Sequence, residues 1–213
     1  MLLELRKITV EPGQKLILDE ISWQEFEAIL EDLGEHRGSR IAYDQGRLEI
    51  MSPLPEHESG KLYISNFIEI MLEELDIEFC PLGSTTFKSE LLQKGIEPDN
   101  CFYIQNEAAV RGKDRLDLTI DPPPDLALEI DITSRTYPNI YQALGVPELW
   151  RFTRGSLEIN LLQDGEYIKS ESSLIFPNFP LQKILPEYLQ KCKVEGRNKT
   201  MRAFRNWVRD NRK

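Results

Sequence analysis

Glu129 and Asp131 sit one residue apart inside the alternating run "PPPDLALEIDITS", residues 122–134. Leu126, Leu128, Ile130 and Ile132 alternate with Ala127, Glu129, Asp131 and Thr133, so an extended chain presents both acids on one face. On a wet face such a pair serves solubility alone. A third acid opens another reading. Asp99, in the dipeptide Pro98-Asp99, heads a second strand-like run, "GIEPDNCFYI". Acids from two neighbouring strands can converge on one point. Converging carboxylates, completed by water and phosphate oxygens, are what a hard divalent cation such as Mg²⁺ or Mn²⁺ binds.

Other residue types with chemical potential are sparse. His57 invites a general-base role but reads more simply as a surface or capping residue at a helix start; with His36 it is one of two histidines. Glu58, beside it, reads equally as a first-turn acid favoured by the helix dipole. "GSTTF", residues 83–87, has a glycine and hydroxyls that could touch phosphate but lacks the Gly-Lys-Ser/Thr ending of a P-loop, so no nucleotide cofactor is expected. Cys80, Cys101 and Cys192 are far apart and form no C-x-x-C pair, so neither a zinc knuckle nor a disulfide framework is suggested and the thiols read as reduced and mostly structural.

The elements that must position these residues follow from periodicity and punctuation. "SWQE" at Ser22–Glu25 has capping-box spacing, and Trp23, Phe26, Ile29, Leu30 and Leu33 follow at helical intervals, predicting a helix over 23–33. "RIAYDQGRLEIMSP" predicts a hairpin turning at Asp44-Gln45-Gly46. After Pro55, Leu62, Ile64, Ile68, Met71, Leu72 and Leu75 predict the longest helix, weakened at Gly60. Strands are expected over 77–81, 85–88, 100–104, 125–133 and 146–152, with a short helix over 138–144. A hairpin turning at Asp164-Gly165 and helices near 181–193 and 199–211 complete the chain. In "YQALGVPELWRF", Tyr141 and Gln142 read as core rather than site residues. The sum is an α/β or α+β domain with a mixed sheet, divided as 1–180 with a basic helical extension over 181–213.

The 213 residues carry a net charge of -10, which argues against a general nucleic-acid coat. The charge is uneven: Lys183–Lys213 holds ten Lys/Arg against three acids, leaving -17 on the rest. Arg202, Arg205 and Arg209 share one face of the last helix, while Phe204, Trp207 and Val208 share another. Those arginines are candidate phosphate contacts, or they neutralise the acidic body. The absence of a long apolar run and of a signal-peptide core leads to the expectation of a cytoplasmic protein with no membrane partner.

An order of P-D followed by an apolar strand carrying (D/E)-x-K resembles the PD-(D/E)XK nuclease superfamily. The longer order "IMSPLPEHE", "GSTTF", "EPDNCFYI", "PPPDLALEIDITS", "YQALGVPELWRF" is similar to the Uma family of restriction endonucleases, abundant in cyanobacteria, over about Ser22 to Tyr167. The resemblance implies a restriction-endonuclease-like sheet flanked by helices and an endonuclease acting on DNA. It also implies Asp99, Glu129 and the Ile130 carbonyl as ligands of Mg²⁺ or Mn²⁺, with Asp131 a further ligand or a proton acceptor and Glu58 one more acid. A homodimer would suit cutting both strands. The chain departs from the pattern at the lysine: the motif position is Asp131, and the alternative position in the following helix is Tyr137. Lys88, Lys94 and Arg135 are the candidates to replace it. Without a replacement, the fold would serve as a binding or assembly module.

Overall fold

A computed structural model of the chain describes residues 8–34, 38–83, 85–131 and 137–212. The first strand, Lys15–Leu18 (β1), leads to the helix Trp23–Leu33 (α1). Its capping box closes: the Ser22 hydroxyl accepts from Glu25 N–H at 3.3 Å and the Glu25 carboxylate accepts from Ser22 N–H at 2.8 Å. The hairpin Arg40–Asp44 (β2) and Arg47–Met51 (β3) turns through Gln45 (φ 48°) and Gly46 (φ 94°), the paired positive dihedrals of a tight two-residue turn. Alternation then sorts its side chains. Ile41, Tyr43, Leu48 and Ile50 pack on Trp23, Phe26 and Ile29 of α1, and Arg40, Ala42, Glu49 and Met51 line the other face.

Helix Pro55–Glu74 (α2) begins with proline in its first turn and buries Ile64, Phe67, Ile68, Met71 and Leu72. Four short strands follow, Cys80–Pro81 (β4), Phe87–Ser89 (β5), Lys94–Ile96 (β6) and Asn100–Tyr103 (β7), then the single-turn helix Glu107–Val110 (α3). Strand Leu126–Asp131 (β8) connects through helix Pro138–Leu144 (α4) to Glu148–Thr153 (β9), which runs parallel to β8. Parallel neighbours require such a crossover. Proline in the first turn of α4 and the left-handed Gly145 (φ 78°) at its end fix its limits. Hairpin Ser156–Gln163 (β10) and Glu166–Ser170 (β11) precede helices Leu181–Glu195 (α5) and Arg197–Asn211 (α6).

The strands divide into two sheets, of order β1-β3-β2-β6-β5 and β11-β10-β9-β8-β7-β4. The mixed α/β character expected from sequence is present, but the strands do not form one sheet. Cores lie on both faces of the second sheet. On one, Leu126, Leu128, Ile130, Trp150 and Ile159 pack with Phe67 and Met71 of α2, Leu185 of α5 and Phe204 and Val208 of α6. On the other, Cys101, Tyr103, Ala127 and Leu149 meet Ile140 and Tyr141 of α4 and Phe87 and Ile96 of the first sheet. The strand expected over 77–81 is shorter, Cys80–Pro81, with Ile77 and Phe79 packed against the first of these cores ahead of it. Among the described residues no helix is long and apolar enough to cross a membrane, and the three cysteines are unbridged.

Candidate active site

The ladder between β7 and β8 decides where the acids meet. Asn100 pairs with Leu128 and Cys101 with Ala127. One further step in this antiparallel register sets Asp99 opposite Glu129, and opposite residues project to the same face. Asp99 is anchored there, its Oδ2 accepting from Ile130 N–H at 2.7 Å and lying 3.0 Å from His57 Nε2. Like charges directly opposite in a ladder repel, and this site compounds the repulsion with burial. The Glu129 carboxyl titrates well above the usual range because burial disfavours its charged form and the adjacent Asp99 carboxylate repels it; Asp131 adds to the effect. The Tyr141 hydroxyl, from α4, donates to Glu129 Oε1 and partly offsets the shift. Burial, then Glu129, raises the Tyr141 phenol in turn.

Beside Glu129 lies a narrow cavity of about 50 Å³ between the two sheets, lined by Arg40, Glu49, His57, Glu97, Glu129, Asp131 and Tyr137 among others. That is room for one or two waters at the roughly 30 Å³ each occupies in the liquid. His57 is buried in the first turn of α2, and its Nδ1 has no hydrogen-bond partner among the described residues, lying 3.7 Å from Glu58 Oε1. Glu58 faces Arg40 at 3.4 Å and Lys61 at 2.7 Å. Glu97 accepts from Ile41 N–H at 3.2 Å and from the Thr86 hydroxyl at 2.6 Å, which ties the "GSTTF" segment to the cavity wall. The acids supply only oxygen donors. Two carboxylates in mutual repulsion fit a small hard cation, which keeps several waters and needs one or two protein carboxylates. Among the described residues, however, no three His, Cys, Asp or Glu side chains form a ready-made metal shell.

A family model described as "Uma2: Putative restriction endonuclease" matches residues 23–195, most of the chain. The chain belongs to the Uma2 family. In fold, this Uma2 chain is similar to the crystal structure of "a putative nuclease belonging to DUF820" from Anabaena variabilis ATCC 29413. The TM-score is 0.54 with 14% sequence identity, over 79% of this chain and 99% of that one. No curated protein matches it in sequence.

The remaining candidates are spread around this Uma2 site. Asp131 points to the same face as Glu129 but is bonded by Arg151, from Nη2 at 2.7 Å and Nε at 3.1 Å. Tyr137, at the alternative lysine position, donates its hydroxyl to Glu49 at 2.6 Å, and burial first, then Glu49, pushes its own phenol up to about 12. Lys88 pairs with Glu27 of α1 at 2.7 Å, and Lys94 pairs with Asp44, so both cations are engaged by acids of the first-sheet half. Arg135 and His36 lie outside the described residues. Arg205 and Arg209 clasp Glu73 and Glu74 of α2, while Arg202 is exposed on α6. Sequence reasoning missed Arg40 and Arg151. Arg151 carried a signal, a cation flanked by Trp150 and Phe152 in an apolar strand. Arg40 carried none beyond its place at the mouth of a hairpin.

Proposed function

We propose that the protein is a metal-dependent endonuclease that hydrolyses DNA phosphodiester bonds, with Asp99 and Glu129 holding Mg²⁺ or Mn²⁺. The opposition of two carboxylates across the β7–β8 ladder, Asp99 buried and Glu129 partly so, carries this reading, and the nuclease description of the family supports it. A binding scaffold gains nothing from such repulsion, whereas a cation relieves it. The Ile130 carbonyl is the third donor in this scheme. When bound, the cation would polarise the scissile phosphate and lower the pKa of a water. The chain's own groups prepare for it. Ile130 N–H and His57 Nε2 fix the Asp99 carboxylate, and Tyr141 fixes that of Glu129. Outer contacts of this kind set the orientation and basicity of ligands. Asp131, held by Arg151 beside Glu129, is the acceptor for the proton of the attacking water. A homodimer acting on duplex DNA completes the proposal.

Cleavage of supercoiled plasmid by purified protein with Mg²⁺ or Mn²⁺ tests it, alongside EDTA and Glu129→Ala controls. Metal-dependent nicking lost in the variant is the expected result. A second reading, a nuclease fold retained as a binding or assembly module, is favoured by one observation: Asp131 and Tyr137 occupy the two lysine positions. Equal inertness of wild type and Glu129→Ala on duplex DNA, single-stranded DNA and RNA would select it.

A further inference from the structure

The absent motif lysine leaves open which cation meets the substrate. Arg40 begins β2 on the face of the hairpin that lines the cavity, together with Glu129, Asp131 and His57. Its Nε stands 3.8 Å from Asp99 Oδ1, too long for a hydrogen bond, and its Nη2 reaches Glu58 only at 3.4 Å. The Nε–H is buried with no acceptor among the described residues. A guanidinium is a planar fork of donors suited to two oxygens of one carboxylate or phosphate. Here it has neither in good geometry, although two carboxylates lie close. Buried polar groups are nearly always paired, so this Nε–H, on a residue that lines the cavity, calls for an explanation.

We propose that Arg40 donates from this position to an oxygen of the scissile phosphodiester, serving in place of the lysine; this rests on the nuclease reading above. A phosphate at the mouth of this cavity, which itself admits only water, presents its oxygens to the guanidinium in the fork geometry that Asp99 and Glu58 do not offer. The cation then lies on the Asp99 side of the site, contributed by the hairpin rather than by β8 or α4. Lys88 and Lys94, also from the first-sheet half, are held by Glu27 and Asp44 instead.

The test compares wild type, Arg40→Lys and Arg40→Met in two binding measurements that need no turnover. One is the affinity for a duplex oligonucleotide in Ca²⁺ by fluorescence anisotropy; the other is the affinity for Mn²⁺ alone by electron paramagnetic resonance. Arg40→Met is expected to weaken duplex binding about tenfold, the usual scale for a charge-assisted hydrogen bond, and Arg40→Lys less. Mn²⁺ binding should hold or tighten in Arg40→Met, because a cation beside the ligand carboxylates is removed. Parallel loss of Mn²⁺ and duplex binding would make Arg40 a mere prop of Asp99 and overturn the proposal. Unchanged duplex affinity in Arg40→Met, or no duplex binding by wild type, would also overturn it. If wild type binds duplex in an Arg40-dependent way yet cuts nothing, the nuclease reading fails while the role of Arg40 in phosphate binding stands.

Discussion

At the scale of single residues, the site is a problem in electrostatics. Asp99 and Glu129 are brought together by strand register, Asp99 buried and Glu129 partly so, and desolvation and the Asp99 charge raise the Glu129 carboxyl. Glu129→Gln should therefore stabilise the metal-free protein by about 1 kcal/mol at pH 8 in EDTA, the scale of a cross-strand charge pair. Urea denaturation would measure it. The pH dependence has a definite sign. Because the folded-state pKa of Glu129 is raised, its protonated form stabilises the fold fully below the unfolded value of about 4.3, and that contribution is lost as pH rises through the folded value. The metal-free wild type should lose stability across that window, and Glu129→Gln should flatten the loss. Of this site, the acids were legible in the sequence because P-D and E-x-D have recognisable spacing. Their partners were not. His57, Tyr141 and Arg40 reach the pair through tertiary packing, and Arg151 reaches Asp131 through a parallel register of β8 with β9 that no local pattern encodes.

At the scale of elements, local chemistry was legible wherever it was decisive. The capping box of α1, the proline starts of α2 and α4 and the Asp44-Gln45-Gly46 turn each fixed a boundary that the structure reproduces. Strands β1 and β6 and helix α3 were not read, since three or four residues are too few to show a period; β1 and β6 are held by pairing with β3 and β2. Two glycines show how packing decides what a methyl group does. Gly60 lies within α2, and a Cβ there would sit 3.7 Å from Ile130 Cγ2, an ordinary contact. Gly60→Ala should thus stabilise the protein by roughly 0.5–1 kcal/mol through helix propensity. Gly95 lies opposite Tyr43 under the stacked Phe26 and Tyr43 rings, and its Cβ would meet Phe26 Cζ at 2.8 Å. Gly95→Ala should cost about 1–3 kcal/mol through overpacking. Denaturant melts of the two variants should move in opposite directions.

At the scale of the whole molecule, the uneven charge resolves into a clasp. The basic C-terminal segment does not stand apart from the acidic body. Phe204 packs into the core, tilted against Phe67 and edge-on to Tyr188, and Arg205 and Arg209 close on Glu74 from α6 to α2. The hydrogen bonds from Arg209 and then Arg205 hold the Glu74 carboxyl down at about 2. A depressed folded-state pKa places this contribution in full above the unfolded value near 4.3, to be lost as pH falls through 2. Glu74→Gln should remove that part of the acid-induced loss between pH 5 and 2, visible as a shallower acid limb in stability measured against pH. The sequence showed the charge imbalance but not its target, because Glu74 and Arg209 are separated by 135 residues.

The proposed function depends on Asp99 and Glu129 holding a divalent cation together. Titrating Mn²⁺ into wild type and Glu129→Gln, followed by electron paramagnetic resonance, tests it most directly. One Mn²⁺ is expected to bind per wild-type chain and to be lost in Glu129→Gln, with both proteins folded. Equal Mn²⁺ binding by the two, or none by either, would contradict it.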